Sequence, residues 1–408
     1  VASTTLCLIK GAIGASILSM AAHAANVGLL FVIISLVIGA LLTVISFRML
    51  GEVSIHTRRW SFEDVSEELF HPTFAFMTGF INAGSCLGAC CAYLIICGQV
   101  FEVLSGASER WRRLFVVLVG LCICLPLALS KDVNFLRYFS LLSNAALFFL
   151  VIAVIFIYAA NGKDDSITAH SMWFAKDDMG LFAYMNCMNN IIFSYNTQMV
   201  IPKLTGEMRP MGLSHLTSAS VWSSVAVCIF YVVVSVFGVL AFGVDASQME
   251  TLLLNMAPYR RNALVIIALL SILVSIIVCF EFQIHPIRQF LSYALRKLRG
   301  LDADGESRDV RYGGVTLTRW LDLLCAVATV LFSIWIAIAL NNLRVILNFM
   351  GAFAGAYISF IIPPVWVMRI RSREGKLVLH SFESLVCIVL CLIGAFFFVF
   401  GTYAACVA

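Results

Sequence analysis

The stretch Lys10-Gly11-Ala12-Ile13-Gly14-Ala15-Ser16 interrupts an apolar run that extends from about residue 2 to about residue 22. Glycine costs about 1 kcal/mol relative to alanine inside a helix, so two glycines among small neighbours give this segment a low helix propensity. A second interruption falls at Ser194-Tyr195-Asn196-Thr197-Gln198, a polar patch with Pro202 close behind. A helix that faces lipid has no use for such a row of polar groups. An unwound segment does, because its freed backbone needs partners and offers itself to a ligand. The alternatives are close helix–helix packing at Gly11 and Gly14, and an interhelical hydrogen-bond cluster at residues 194–198.

Working outward, the chain has 408 residues, 61% of them hydrophobic and 12% charged, with a mean hydropathy of +0.97. Soluble domains carry about 25% charged residues. Eleven apolar segments are legible, approximately 2–22, 25–49, 73–104, 112–130, 134–160, 180–202, 214–243, 260–291, 316–340, 343–368 and 380–406, each long enough to cross a hydrocarbon core about 30 Å thick. The longest polar loops are expected at about 51–72, 161–179 and 292–315. The two interrupted segments are the first and the sixth. They are five apart and run in opposite directions, and discontinuous helices at matching places in two inverted halves point to a substrate site at the bilayer midplane. Half-helix N-termini there present N–H groups and a positive dipole end to a carboxylate.

With the N-terminus on the cytoplasmic side, the inside loops hold 18 Lys and Arg against 8 outside, with Lys10 inside a span. This bias predicts a cytoplasmic N-terminus and an extracellular or lumenal C-terminus. The chain opens at Val1 within an apolar stretch and has no signal-peptide pattern there; a polar tail preceding it is expected. No basic run suited to nucleic acid is present. The 14 cysteines lie within apolar runs and are read as free thiols; the Cys90-Cys91 pair lacks partners at zinc spacing. No metal or cofactor is expected. There is no H-E-x-x-H, G-x-S-x-G or phosphate loop, so an enzyme is not expected either.

Four stretches carry a resemblance. They are Gly14-Ala15-Ser16-Ile17-Leu18 with Asn26-Val27-Gly28; Phe193-Ser194-Tyr195 through Glu207-Met208; His285-Pro286-Ile287-Arg288; and Gly351-Ala352 with Phe360-Ile361-Ile362-Pro363. In order and spacing they resemble the amino acid/auxin permease family, nearest to its sodium-coupled neutral amino acid transporters. The resemblance implies an all-α polytopic membrane protein with a five-plus-five inverted-repeat (LeuT-like) fold and one extra helix. The first repeat would span about 1–160, the second about 180–368 and the extra helix about 380–406 of a single transmembrane domain. It implies amino acid transport by alternating access, with the substrate held by Gly11, Ala12, Ile13, Gly14, Ala15 and Ser16 and by Phe193, Ser194, Tyr195, Asn196 and Thr197. Asn82 and Cys86 would form a further wall. A nutrient sensor with the same fold is the rival reading.

The departures from the family pattern concern the coupling ion. Sodium-coupled members carry Asn where this chain has Lys10, and a hydroxyl residue where it has Cys279; Glu281 follows two residues later. An unpaired charge within a span costs about 2.5–3.5 kcal/mol on insertion scales, so each is expected to find a partner. Lys10 and Glu281 fall at similar depth, which predicts an ion pair in place of the sodium site and sodium-independent transport. Lys10 snorkelling to the surface is the alternative. A proton is the other coupling ion to consider, because buried ionisable groups titrate away from their solution values. A neutralised Glu281 favours a neutral substrate; a free one favours a cationic one. Tyr195 and Phe193 would tolerate an apolar or aromatic substrate side chain. Asp322 is read as an interfacial cap and His285 as an interfacial histidine. Plasma membrane and lysosome or vacuole both remain open, and protein partners are not legible.

Overall fold

In the computed structural model, residues 2–407 are described apart from 130–132, 163–168, 177–178, 209–211, 244–250, 299–314, 341 and 376–380, and those described form helices and short connections without strands. Helix α1 (Ala2–Ala12) stops at the low-propensity glycine segment, and α2 (Ile17–Val27) restarts 57° off its axis. Gly28 alone separates α2 from α3 (Leu29–Thr57). Its φ of 84° is left-handed, and a Cβ there would lie 2.6 Å from the Phe174 carbonyl carbon, so only glycine fits. Then follow α4 (Phe62–Leu69), α5 (Pro72–Ser105), α6 (Glu109–Leu129) and α7 (Val133–Asn161). The sixth expected span is α8 (Leu181–Ser194) and α9 (Ile201–Glu207), parted by a non-helical stretch and a 3₁₀ turn at Gln198–Val200. After it come α10 (Leu213–Phe242), α11 (Ala263–Leu298), α12 (Val315–Ala339), α13 (Leu343–Arg373) and α14 (Phe382–Val407).

Among the described residues, seven helices are long and apolar enough to cross a membrane, and the bent pair α1–α2 makes an eighth. Eleven were expected; by length and composition among the described residues the count is seven to eight. The break leaves α8 with 14 residues, and α7 and α12 count only through Phe148–Asn161 and Leu323–Ala339. The most apolar stretches of α5 and α13 are 78% and 72% buried, against 22% for α14, so the first two form the centre and α14 the rim. Leu392, Val399, Trp222 and Trp335 are exposed apolar side chains on the outer faces, as a lipid-embedded bundle requires.

The segment expected as a polar loop at 51–72 is instead partly helical. Ser61 Oγ accepts from the Asp64 N–H at 3.1 Å, with Glu63 and Asp64 in the first turn of α4, and this cap starts the helix. Phe62 packs on Trp366 at 5.1 Å between ring centres, Glu67 pairs with Lys297, and Arg369 and Arg373 both donate to the Leu69 carbonyl. These contacts fasten α4 across one end of α11 and α13. The Asp322 side chain lies outside the described residues, as do Lys131, Lys163, Arg209, Arg299, Arg308, Arg311 and Lys376 from the loop-charge reading.

Candidate functional site

The two interruptions meet in the middle of the bundle. Gly11 faces Thr197 so closely that a Cβ on it would lie 2.5 Å from Thr197 Cγ2. Ser19 Oγ donates to Asn190 Oδ1 at 3.1 Å, and this bond ties α2 to α8. At the first break, Ile13 N–H still reaches Ile9 O at 2.9 Å, but Gly14 N–H turns back to Ala12 O at 3.0 Å. The helical ladder resumes through Leu18 N–H to Ala15 O and Ser19 N–H to Ser16 O, both at 3.2 Å. At the second break, Asn196 N–H reaches Phe193 O at 3.1 Å and Thr197 N–H reaches Tyr195 O at 2.8 Å. Ser194, Tyr195, Asn196, Thr197 and Gln198 are all buried, so this polar patch is turned inward rather than toward lipid.

A cavity of about 70 Å³ opens beside the breaks, lined among others by Lys10, Gly11, Tyr93, Asn196, Thr197 and Gln283. A second space of about 20 Å³ adjoins Ile13, Gly14 and Ile17. Tyr93 and Cys279 line both, so they form the partition between them. Buried polar atoms without a hydrogen-bond partner belong to three residues lining the larger cavity, Asn196 Oδ1, Thr197 Oγ1 and Gln283 Oε1, and both amide atoms of Gln198, next along the second break, are unpartnered too. Orphaned buried polar atoms cost about 1–3 kcal/mol each, and a ligand with an ammonium, carboxylate or amide group would relieve them.

The predicted residues divide. Gly11, Asn196 and Thr197 line the larger cavity, Ile13 and Gly14 the smaller. Ala12 and Ser16 meet Tyr231: its hydroxyl lies 2.5 Å from Ser16 Oγ and donates to Ala12 O at 3.3 Å. Ala15 is buried beside them. Ser194 Oγ is spent on Asn190 O at 2.7 Å. Tyr195 and Phe193, expected to tolerate a substrate side chain, are absent from the lining of both cavities. Tyr195 donates to Leu36 O at 3.1 Å in α3, and Phe193 packs at Gly351 in α13. On α5, Ser85 rather than Asn82 meets the second break, accepting from Asn196 Nδ2 at 3.3 Å. Cys86 stands behind Met199, sulfur to sulfur at 3.5 Å, and Asn82 is buried with its Oδ1 unpartnered.

The expected Lys10–Glu281 ion pair is not the arrangement found. Lys10 Nζ lies 3.8 Å from the centre of the Phe282 ring, with the Cys279 and Cys7 thiols in electrostatic reach. Glu281 is turned to Arg288, on the face of α11 toward Cys90 and Cys124. The reason is rotation: at about 100° per residue, Glu281 stands about 200° around α11 from Cys279, whereas Phe282 and Gln283 return to its side. His285 is half-buried with Nε2 unpartnered, one turn along from Glu281. Sequence reasoning missed Tyr93, Tyr231 and Gln283. Tyr93 and Tyr231 are single polar residues inside apolar runs, and Gln283 lies between Glu281 and His285 two residues to either side; those were the available signals.

Three comparisons bear on this architecture. The family profile described as transmembrane amino acid transporter protein matches residues 1–405. Vacuolar amino acid transporter 5 of Schizosaccharomyces pombe is 24% identical over 369 residues, covering 88% of this chain and 82% of the relative. Sodium-coupled neutral amino acid transporter 7 of Danio rerio is 24% identical over 330 residues, covering 76% and 66%. Among solved structures, Mhp1, a nucleobase-cation-symport-1 family transporter in a closed conformation with bromovinylhydantoin bound, superposes with a TM-score of 0.59 at 13% identity, over 99% of this chain and 90% of that one. That likeness bears on the fold alone and agrees with the expected LeuT-like class. With its two broken helices and a family match over nearly its whole length, the chain belongs to the transmembrane amino acid transporter family, the amino acid/auxin permeases, and is an integral membrane transporter rather than an enzyme.

Proposed function

We propose that this transporter moves neutral amino acids without sodium, with the Lys10 ammonium standing as a tethered cation beside the first break. The observation that carries this reading is Lys10 itself, buried in the wall of the cavity that both breaks share. The substrate carboxylate docks at the α2 end of the first break, and Asn196, Thr197 and Gln283 meet the rest of the zwitterion. A fixed cation in the wall repels a cationic side chain, which is why neutral substrates are preferred. A proton remains the candidate driving ion. The two repeats divide at about 160–180, and alternating access tilts one set of helices against the other around the breaks. The N-terminus faces the cytoplasm, and the vacuolar relative favours a vacuolar or lysosomal membrane. The name of the Danio rerio relative favours the competing reading, sodium coupling.

Uptake of labelled amino acids into proteoliposomes, with sodium chloride against choline chloride across pH, decides between them. Equal rates in the two salts are expected, and a strict sodium requirement refutes the proposal. Counterflow also separates transport from sensing, since a sensor binds without exchange. A further expected result concerns Cys7, which is exposed and lines the cavity. A membrane-impermeant methanethiosulfonate should block uptake when it is added on the N-terminal side only. Cys7→Ser should resist it. Block from the opposite side would reverse the proposed orientation.

A further inference from the structure

We propose that Gln198, Thr43 and Ser359 form a latch: three buried polar side chains that are unpaired while the cavity opens toward Cys7 and that bond to one another when the protein closes on that side. This rests on the reading that access alternates around the two breaks.

Helices α3 and α13 meet the second break, and the turn Gln198–Val200 touches both. Along the inner face of α3, Leu36 O accepts from the Tyr195 hydroxyl at 3.1 Å, Gly39 leaves room for the Tyr195 ring, and Ser46 Oγ donates to Ser359 O at 2.7 Å. Thr43 falls on that same face, between Gly39 and Ser46 at helical spacing. On α13, a Cβ at Gly355 would lie 3.9 Å from Asn196 Nδ2, and Ser359 stands four residues further on. Thr43, Gln198 and Ser359 therefore share one junction, separate from both cavities, whose linings include none of them.

The three are 2%, 0% and 1% exposed, and Thr43 Oγ1, Ser359 Oγ and both amide atoms of Gln198 have no hydrogen-bond partner. That is out of character for this bundle. Ser54, Ser220, Ser235 and Ser333 are also buried in helices, and each spends its hydroxyl on the carbonyl four residues back, at 2.7 to 2.8 Å. Ser359 lies in a π turn, Tyr357–Ile361, whose wider register displaces that carbonyl; such turns are frequent at functional sites. The orphaned groups are complementary. Gln198 offers two N–H donors and a carbonyl acceptor, and each hydroxyl offers a donor and an acceptor, so the three can satisfy one another. Gln198 sits where the helical ladder is interrupted, so its amide can turn between the two hydroxyls without unwinding a helix. Groups that are orphaned in one arrangement and paired in another bias the balance toward the second.

Gln198→Leu keeps the bulk of the side chain and removes both polar atoms. It deprives the latched arrangement of its bonds and relieves the present one of its orphans, so the balance moves toward the arrangement in which Cys7 is exposed. In proteoliposomes treated from the N-terminal side, a membrane-impermeant methanethiosulfonate should label Cys7 about three- to tenfold faster than in wild type, the worth of one side-chain hydrogen bond, as read by mass spectrometry of the Cys7 peptide. Thr43→Val and Ser359→Ala should each give a smaller rise alone and no further rise on top of Gln198→Leu, because one latch can be lost only once. An unchanged rate in Gln198→Leu, or additive effects in the combined variants, overturns the proposal. A slower rate overturns it too, since it would mean that the three groups are already satisfied in the present arrangement by a bound water or ion. If Gln198→Leu does not reach the membrane, the Thr43→Val, Ser359→Ala double variant carries the same expectation and the same refutations. Labelling needs no substrate. Failure of the transport reading would show in counterflow, and the labelling rates would still decide the latch.

Discussion

Gly351→Ala is expected to remove most of the folded transporter from the membrane. A Cβ at this position would run into the backbone of Asn189, with the Asn189 carbonyl carbon at 2.8 Å and Phe193 Cβ at 3.2 Å. A flexible side chain could step aside; a helix backbone cannot. Overpacking a well-filled interior costs about 1–3 kcal/mol even when side chains absorb it, a large share of a typical stability. Here α8 would have to move off α13, and α8 ends at the second break. It is also held on its other side, where Asn189 Nδ2 donates to Gly401 O at 2.9 Å. Fluorescence-detected size-exclusion chromatography and a melting curve in detergent measure the loss. Gly84→Ala is the control. No atom lies within 4 Å of a Cβ placed there, so its yield and melting temperature should match the wild type. A Gly351→Ala protein with wild-type yield would mean that α8 and α13 are not packed as described.

The second large effect concerns Lys10. Lys10→Met keeps the length of the side chain and removes the charge, and uptake should fall at least about tenfold in sodium and choline alike, the scale of a lost buried cation–π and charge contact. Lys10→Asn tests the sign. An ammonium about 5 Å from a sodium ion opposes it by about 3 kcal/mol at an effective dielectric of 20, more than a hundredfold in affinity. Removing that charge and supplying an amide oxygen should let sodium in, so uptake by Lys10→Asn is expected to be faster in sodium than in choline. Sodium-insensitive uptake by Lys10→Asn at the wild-type rate would separate Lys10 from ion coupling altogether. The wild-type measurement in both salts is the reference.

The two breaks were legible because they break a composition rule. Two glycines three residues apart and a row of polar side chains both lower helix propensity in an apolar run, and their occurrence in the first and sixth segments favoured breaks over close packing or a hydrogen-bond cluster. The start of α4 was legible too in principle, since Ser61-Phe62-Glu63-Asp64 is a capping sequence, but its polar composition invited a loop reading. The Lys10–Glu281 pairing failed for a reason already present in the sequence. Depth along a helix sets whether two charges lie at one level, yet azimuth sets whether they face each other, and Glu281 shares its azimuth with Arg288. Tyr231 and Tyr93 could not be assigned from sequence. A solitary tyrosine in an apolar run is consistent with lipid, core or cavity, and only the packing of α10 and α5 against α1 and α2 distinguishes these. Hydropathy alone reads 180–202 as one apolar segment, and the polar row at 194–198 was the signal that its helix is divided.

The one-residue joint at Gly28 has a mechanical consequence. Hydrogen bonds run up to it and away from it, from the Gly28 N–H to Ala24 O at 3.0 Å and from the Val32 N–H to Gly28 O at 3.3 Å. The chain there has no slack to take up a displacement. A tilt of α2 is therefore conveyed to α3 as to the arm of a bell crank, and Leu41 on the outer surface of that arm, 61% exposed, travels with it. A spectroscopic label at Leu41 would therefore report a tilt of α2 from outside the pocket.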